Sequence, residues 1–185
     1  ALNFDATNDF INVGDPVALR DIEGQGGGGM SISVWIKPRS AGDRGHIVGK
    51  SNNDSGPGDG MWGLSLSATS NRLSFGHSRA TQPISALINN GWVANQWEHV
   101  VVTYNGGTVA STAIQFYTDG VLRTPHTYDQ DGSGAYVSDV GSSFFIGAGY
   151  PSGSAFVFDG AIDDVRVYNR VITASEVTQL YNLGR

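Results

Sequence analysis

Trp97-Glu98-His99-Val100-Val101-Val102-Thr103-Tyr104 is the stretch on which the fold turns. Period-2 alternation puts Val100, Val102 and Tyr104 on one face and Trp97, His99 and Val101 on the other. Both faces carry apolar groups, which predicts a strand in the middle of a sheet or under a cover. Upstream, Ser31 to Lys37 alternates with Ile32, Val34 and Ile36 on one face, and Pro38 ends it. Segments 46–50, 62–67 and 72–77 read as further strands. Downstream, 113–118 and 121–124 flank Asp119-Gly120, a two-residue hairpin turn. Segments 143–147 and 156–168 complete the set. One segment reads as helix: Thr173-Ala174-Ser175-Glu176 is a capping box, Val177, Leu180 and Tyr181 form one stripe, and Gly184 closes it. About ten short strands and a terminal helix predict an all-β chain, an antiparallel β-sandwich or a jelly roll, with one short C-terminal helix.

Composition agrees. The 17 acidic residues are 14 Asp and 3 Glu, and the 11 basic ones are 9 Arg and 2 Lys, beside 26 Gly. Helix formers are scarce, while Asp and Gly favour turns. A chain of 185 residues suits one domain over 1–185 that buries roughly 70% of its unfolded surface. Its start at Ala1, without initiator Met or signal peptide, predicts a piece cut from a larger protein. The absence of Cys excludes a disulfide scaffold, a thiolate zinc site and a cysteine nucleophile. No apolar run approaches the roughly 20 residues of a membrane span, so no membrane insertion is expected. A net charge of −6 argues against nucleic acid as partner.

Several blocks carry a family resemblance. They are Leu2-Asn3-Phe4-Asp5 with Asp9-Phe10-Ile11, the strand from Ser31 to Pro38, Ile47-Val48-Gly49-Lys50, and Gln96 to Tyr104. Phe116 to Val121 and Phe158 to Arg170 complete them. In this order they resemble the laminin-G-like jelly-roll domains of the concanavalin A-like lectin/glucanase superfamily, from about residue 2 to 182. The resemblance implies a fold that hosts lectins, enzyme-appended carbohydrate-binding modules, adhesin domains and protein-binding modules. It also implies that Trp35, Trp97 and His99 are structural.

Catalysis is not expected. Glycoside hydrolysis needs two facing carboxylates, and the superfamily's hydrolases resemble one another in a strand of alternating Glu, Asp and Glu. Here Glu23, Glu98 and Glu176 are far apart in sequence. Calcium is the expected cofactor. The resemblance implies that the first and last strands are neighbours, and that family members often hold a calcium where they meet. Asp5, Asp163 and Asp164 are the candidate ligands, since adjacent carboxylates repel unless a cation offsets them. The alternative pairs Asp163 or Asp164 with Arg166 or a backbone N–H. Tyr128-Asp129-Gln130-Asp131-Gly132 is a second calcium-loop candidate whose alternative is a solvated turn.

Strand parity locates a ligand site. Alternating directions place the loops 51–61, 78–95 and 148–155 at one end and 125–142 at the other. The first end collects Asn53, Asp54, Asp59, Trp62, His77, Arg79, Trp92 and Tyr150. Flat rings cover the apolar face of a pyranose, and Asp, Asn, Arg and His meet its hydroxyls. Trp92 is expected to be exposed, and Trp62 could equally be core. One missed strand between 50 and 150 would swap the ends and bring Asp129, Asp131 and Tyr136 into the site. The expected function is a calcium-dependent, non-catalytic carbohydrate-binding domain of a secreted or cell-surface bacterial protein, monomeric in isolation and with a glycan or polysaccharide as partner. An adhesin is the first parent. The alternatives are a module appended to a polysaccharide-degrading enzyme and a protein-binding or structural spacer domain.

Overall fold

A computed structural model describes residues 1–22, 28–40, 45–52, 61–67, 69–124, 126, 128–149 and 157–184. Its strands are β1 (Leu2–Asp5), β2 (Ile11–Gly14), β3 (Met30–Pro38), β4 (Gly45–Ser51), β5 (Trp62–Ser67), β6 (Arg72–His77) and β7 (Ile84–Ile88). The chain continues through β8 (Glu98–Tyr104), β9 (Ile114–Thr118), β10 (Val121–Arg123), β11 (Tyr128–Gln130), β12 (Ser143–Ile146), β13 (Asp159–Tyr168) and the helix α1 (Ala174–Leu183).

The strands form a six-stranded sheet, β1-β13-β3-β8-β9-β10, and a seven-stranded sheet, β11-β7-β6-β5-β4-β12-β2. Between them lies one core, with Ile32, Val34, Ile36, Val100 and Val102 from the first sheet and Leu64, Leu66, Leu73, Phe75 and Ile84 from the second. The expected jelly-roll sandwich is thus the architecture observed. The double-faced reading of β8 holds as well: Val100 and Val102 point into the core, while Val101 packs outward with Tyr117, Ile172 and Val177 beneath α1. Thr173 caps the helix with both halves of the capping box formed. Asp119 and Gly120 both take left-handed backbone conformations (φ 51° and 80°), as a twisted two-residue hairpin requires.

Two strands escaped the sequence reading, and they move residues 89–97 and 131–142 to the ends opposite those expected. β7 occupies residues within the expected loop 78–95, and β11 pairs with it at the sheet edge. The turn 78–83 therefore lies with 131–142, joined by the bridges Arg79–Tyr136 and Gln82–Ser133. Residues 89–97 lie at the opposite end, where Asn90 and Gly91 donate to Ser70 and Asn71 and Asn95 donates to Pro38. β1 and β2, read as one strand, belong to different sheets.

Candidate functional site

The end that carries Arg79 is occupied by its own side chains. Trp62 is fully buried and its Nε1 donates to Asp139 Oδ2 at 2.9 Å. His77 is buried and stacks on Tyr136, with centroids 5.6 Å apart. Arg79 is buried as well, its Nη2 donating to the Tyr104 hydroxyl at 2.6 Å while its guanidinium lies over the Tyr136 ring. Beside them Lys50, with no exposed surface, reaches Asp139 at 3.0 Å and Asp15 at 3.1 Å. These side chains tie loops to the sandwich and offer a ligand no open face. Trp92 corrects a second expectation: it is buried at the opposite end, its Nε1 donating to the Arg72 carbonyl at 3.2 Å. Its ring closes the core beneath the 89–97 turn, which is why a loop Trp is not exposed. Asn53, Asp54, Asp59 and Tyr150 lie outside the described residues.

The three calcium candidates are not brought together. Asp5 stands opposite Asp159 in register, so Asp163, four residues further along β13, is roughly 13 Å away. Asp5 Oδ1 accepts the Thr7 N–H, Asp163 Oδ1 accepts the Asp164 N–H, and Asp164 pairs with Arg166 at 2.9 Å. The pairing alternative describes Asp163 and Asp164. The set does not fit a calcium ion, and no group of three or more His, Asp or Glu among the described residues does. Asp131 serves as a backbone cap: Ser111 donates to it through both N–H and hydroxyl, which holds its carboxyl below the usual carboxylate range.

An open cleft lies elsewhere, on the outer face of the six-stranded sheet beside the end of α1. It measures about 730 Å³ and is lined by Trp35, Trp97, Asp119, Asp163, Asp164 and Arg166, closed by Tyr181 and Gly184. Its construction follows from the register. Trp35 on β3 stands between His99 on β8 and Asp163 on β13. Beyond Asp163 the last strand carries one extra residue, since Asp163 to Arg166 spans the same step as Trp35 to Ser33. This bulge, with Asp164 at a left-handed φ of 48°, turns the acidic pair and Arg166 toward the cleft. The helix brings Tyr181 flat over Trp35, centroids 5.8 Å apart. The Asp119 turn adds a carboxylate whose Oδ1 accepts the His99 N–H. Trp97, expected in the core, stands 39% exposed at the cleft edge because it precedes the first paired residue of β8.

The electrostatics of the cleft are acidic. Behind the cleft, Glu98 is pushed up to about 7 by burial and then by the neighbouring Asp119 carboxylate. His99 is driven down to about 4 by burial. Its Nε2 lies 2.9 Å from Ser33 Oγ, and both residues are about 1% exposed. This Ser–His pair is sealed under α1 and presents no nucleophile to a substrate. The accessible groups are instead the exposed Trp97 side chain, carboxylates and a guanidinium, which can cover a sugar face and bond its hydroxyls.

A second, smaller furrow of about 320 Å³ crosses the outer face of the seven-stranded sheet, over Gly63, Ser65, Ser74, Gly76 and Ser85 with His46 alongside.

A family model described as the concanavalin A-like lectin/glucanases superfamily matches residues 10–178. The chain belongs to this laminin-G-like family. Among curated proteins, adhesion G-protein coupled receptor V1 of Danio rerio is 28% identical over 159 residues, covering 83% of this chain and 2% of that protein. The chain therefore spans only a small part of that relative. Among solved structures, the CBM40 of Ruminococcus gnavus IT-sialidase bound to α2,3 sialyllactose superposes with a TM-score of 0.70 at 12% identity, covering 97% of this chain and 95% of that one. Domain 4 of a Geobacillus stearothermophilus extracellular arabinanase, in complex with arabinotriose, gives 0.60 at 18% identity, covering 97% and 75%. These two likenesses bear on the fold.

Proposed function

We propose that this laminin-G-like domain is a non-catalytic glycan-binding module of a secreted or cell-surface protein, and that it binds through the cleft beside α1. The observation that carries the reading is the half-exposed Trp97, set beside the Trp35–Tyr181 stack and facing Asp119, Asp163 and Arg166 across one open cleft. The solved structures that share the fold include modules holding glycans, and the curated relative is an adhesion receptor. An adhesin is the first parent we propose, and a module of a polysaccharide-degrading enzyme the second.

Calcium dependence does not enter this reading, because Asp5, Asp163 and Asp164 stand apart or already have partners. A glycan array with the intact chain and Trp97→Ala, each with and without EDTA, tests the proposal. The expected result is binding that Trp97→Ala weakens and EDTA leaves unchanged. Binding that survives Trp97→Ala at full strength would move the site to the furrow over Gly63 and Gly76.

A further inference from the structure

Resting on that glycan reading, we propose that the cleft selects a sugar carrying a protonated amine and discriminates against sugars carrying a carboxylate. The charges on its walls decide the sign. Three carboxylates line it, from Asp119, Asp163 and Asp164, against the guanidinium of Arg166. That guanidinium is already engaged: its Nε lies 2.9 Å from Asp164 and it also meets Tyr168. A ligand carboxylate would thus find acidic walls and no unengaged bidentate donor, which is what recognition of a carboxylate needs.

A ligand ammonium meets the opposite situation. Asp119 has no ion-pair partner among the described residues, and it sits at the same cleft as Trp97, whose exposed ring attracts a cation through its π face. The left-handed turn that presents Asp119 (φ 51°) is held by the bond from the His99 N–H, so the carboxylate is positioned before a ligand arrives. The cleft therefore offers one ring and one carboxylate to a charged amine, and further oxygens of Asp163 and Asp164 to the sugar hydroxyls. The neighbouring solved structure that holds a sialylated sugar shares the fold at 12% identity. The acidic walls here separate this chain from that ligand class.

The test is calorimetric titration of the chain with a glucosamine tetramer, its fully N-acetylated counterpart and 3′-sialyllactose, at mildly acid pH and at low and high salt. The free-amine tetramer is expected to bind about fivefold more tightly than the acetylated one at low salt, with the gap closing at high salt. Sialyllactose is expected to bind weakest. Asp119→Asn keeps an acceptor for the His99 N–H and tolerates the left-handed turn, so it should fold and should narrow the gap. Trp97→Ala should weaken both tetramers, the free-amine one more, because it loses the attraction of the ring for the ammonium as well as the covering surface. Equal binding of the two tetramers, tighter binding of sialyllactose, or a gap untouched by Asp119→Asn would overturn the selectivity while leaving glycan binding in place. Absence of binding to all three would overturn both.

Discussion

Lys50→Met should destabilise the domain more than any single change at the cleft. The Lys50 ammonium has no exposed surface, and neither has Asp139. It donates to the Asp139 carbonyl at 2.7 Å and contacts Asp139 Oδ1 at 3.0 Å and Asp15 Oδ1 at 3.1 Å. Met fills most of the volume but leaves the Asp139 carboxylate buried, with the Trp62 Nε1 and the Asp21 N–H among its remaining donors. Removing one partner of a buried pair costs about 3–5 kcal/mol. For a domain of this length, each kcal/mol moves Tm by roughly 2–4 °C, so the loss should be about 6–20 °C. Calorimetry at neutral pH reads it. Adding Asp139→Asn removes the stranded charge, so the double variant should lose less than the sum of the singles, by about 1 kcal/mol or more. A Lys50→Met melt within about 2 °C of the parent would refute the view that this network holds the end of the sandwich.

Glu98→Gln should flatten the stability profile between about pH 4.5 and pH 7. The folded carboxyl titrates near 7 and the free one near 4.5, so the native state holds a proton that the unfolded chain releases, and stability falls as pH rises through that window. Denaturant melts should show the variant gaining on the parent above about pH 7 and not below pH 4.5. Thr173→Ala removes the hydroxyl that accepts the Glu176 N–H and should cost about 1 kcal/mol, with hydrogen exchange rising first in α1. A melt equal to that of the parent would show that packing of Val177 alone holds the helix.

Much of the fold was legible because apolar alternation in β3, β5, β6 and β8 is clean, and because the Asp-Gly turn and the capping box are local chemistry. β7 was missed for a physical reason. Ile84-Ser85-Ala86-Leu87-Ile88 has small or apolar residues at both faces, so its period is weak, and it sits in a polar stretch. β11 is three residues long and is defined by its partner rather than by its own pattern. Missing them moved Trp92 to the wrong end and parted Arg79 from Tyr136. Asp163 and Asp164 were singled out as calcium ligands, with pairing to Arg166 or a backbone N–H as the alternative. What they face depends on a one-residue bulge and on where α1 comes to rest, and neither is written in local sequence. Trp97 was assigned to the core from the strand pattern, although it lies one residue before pairing begins.

The domain's four Trp residues report on the central claim directly. Trp35 and Trp97 line the cleft, Trp62 is locked to Asp139 at one end of the sandwich, and Trp92 is buried at the other. Titrating the labelled chain with the tightest sugar from the array and following the indole N–H resonances should move Trp97 most and Trp35 next, with Trp62 and Trp92 unchanged. A shift confined to Trp62, with Trp97 still, would place the ligand at the loop end and contradict the account.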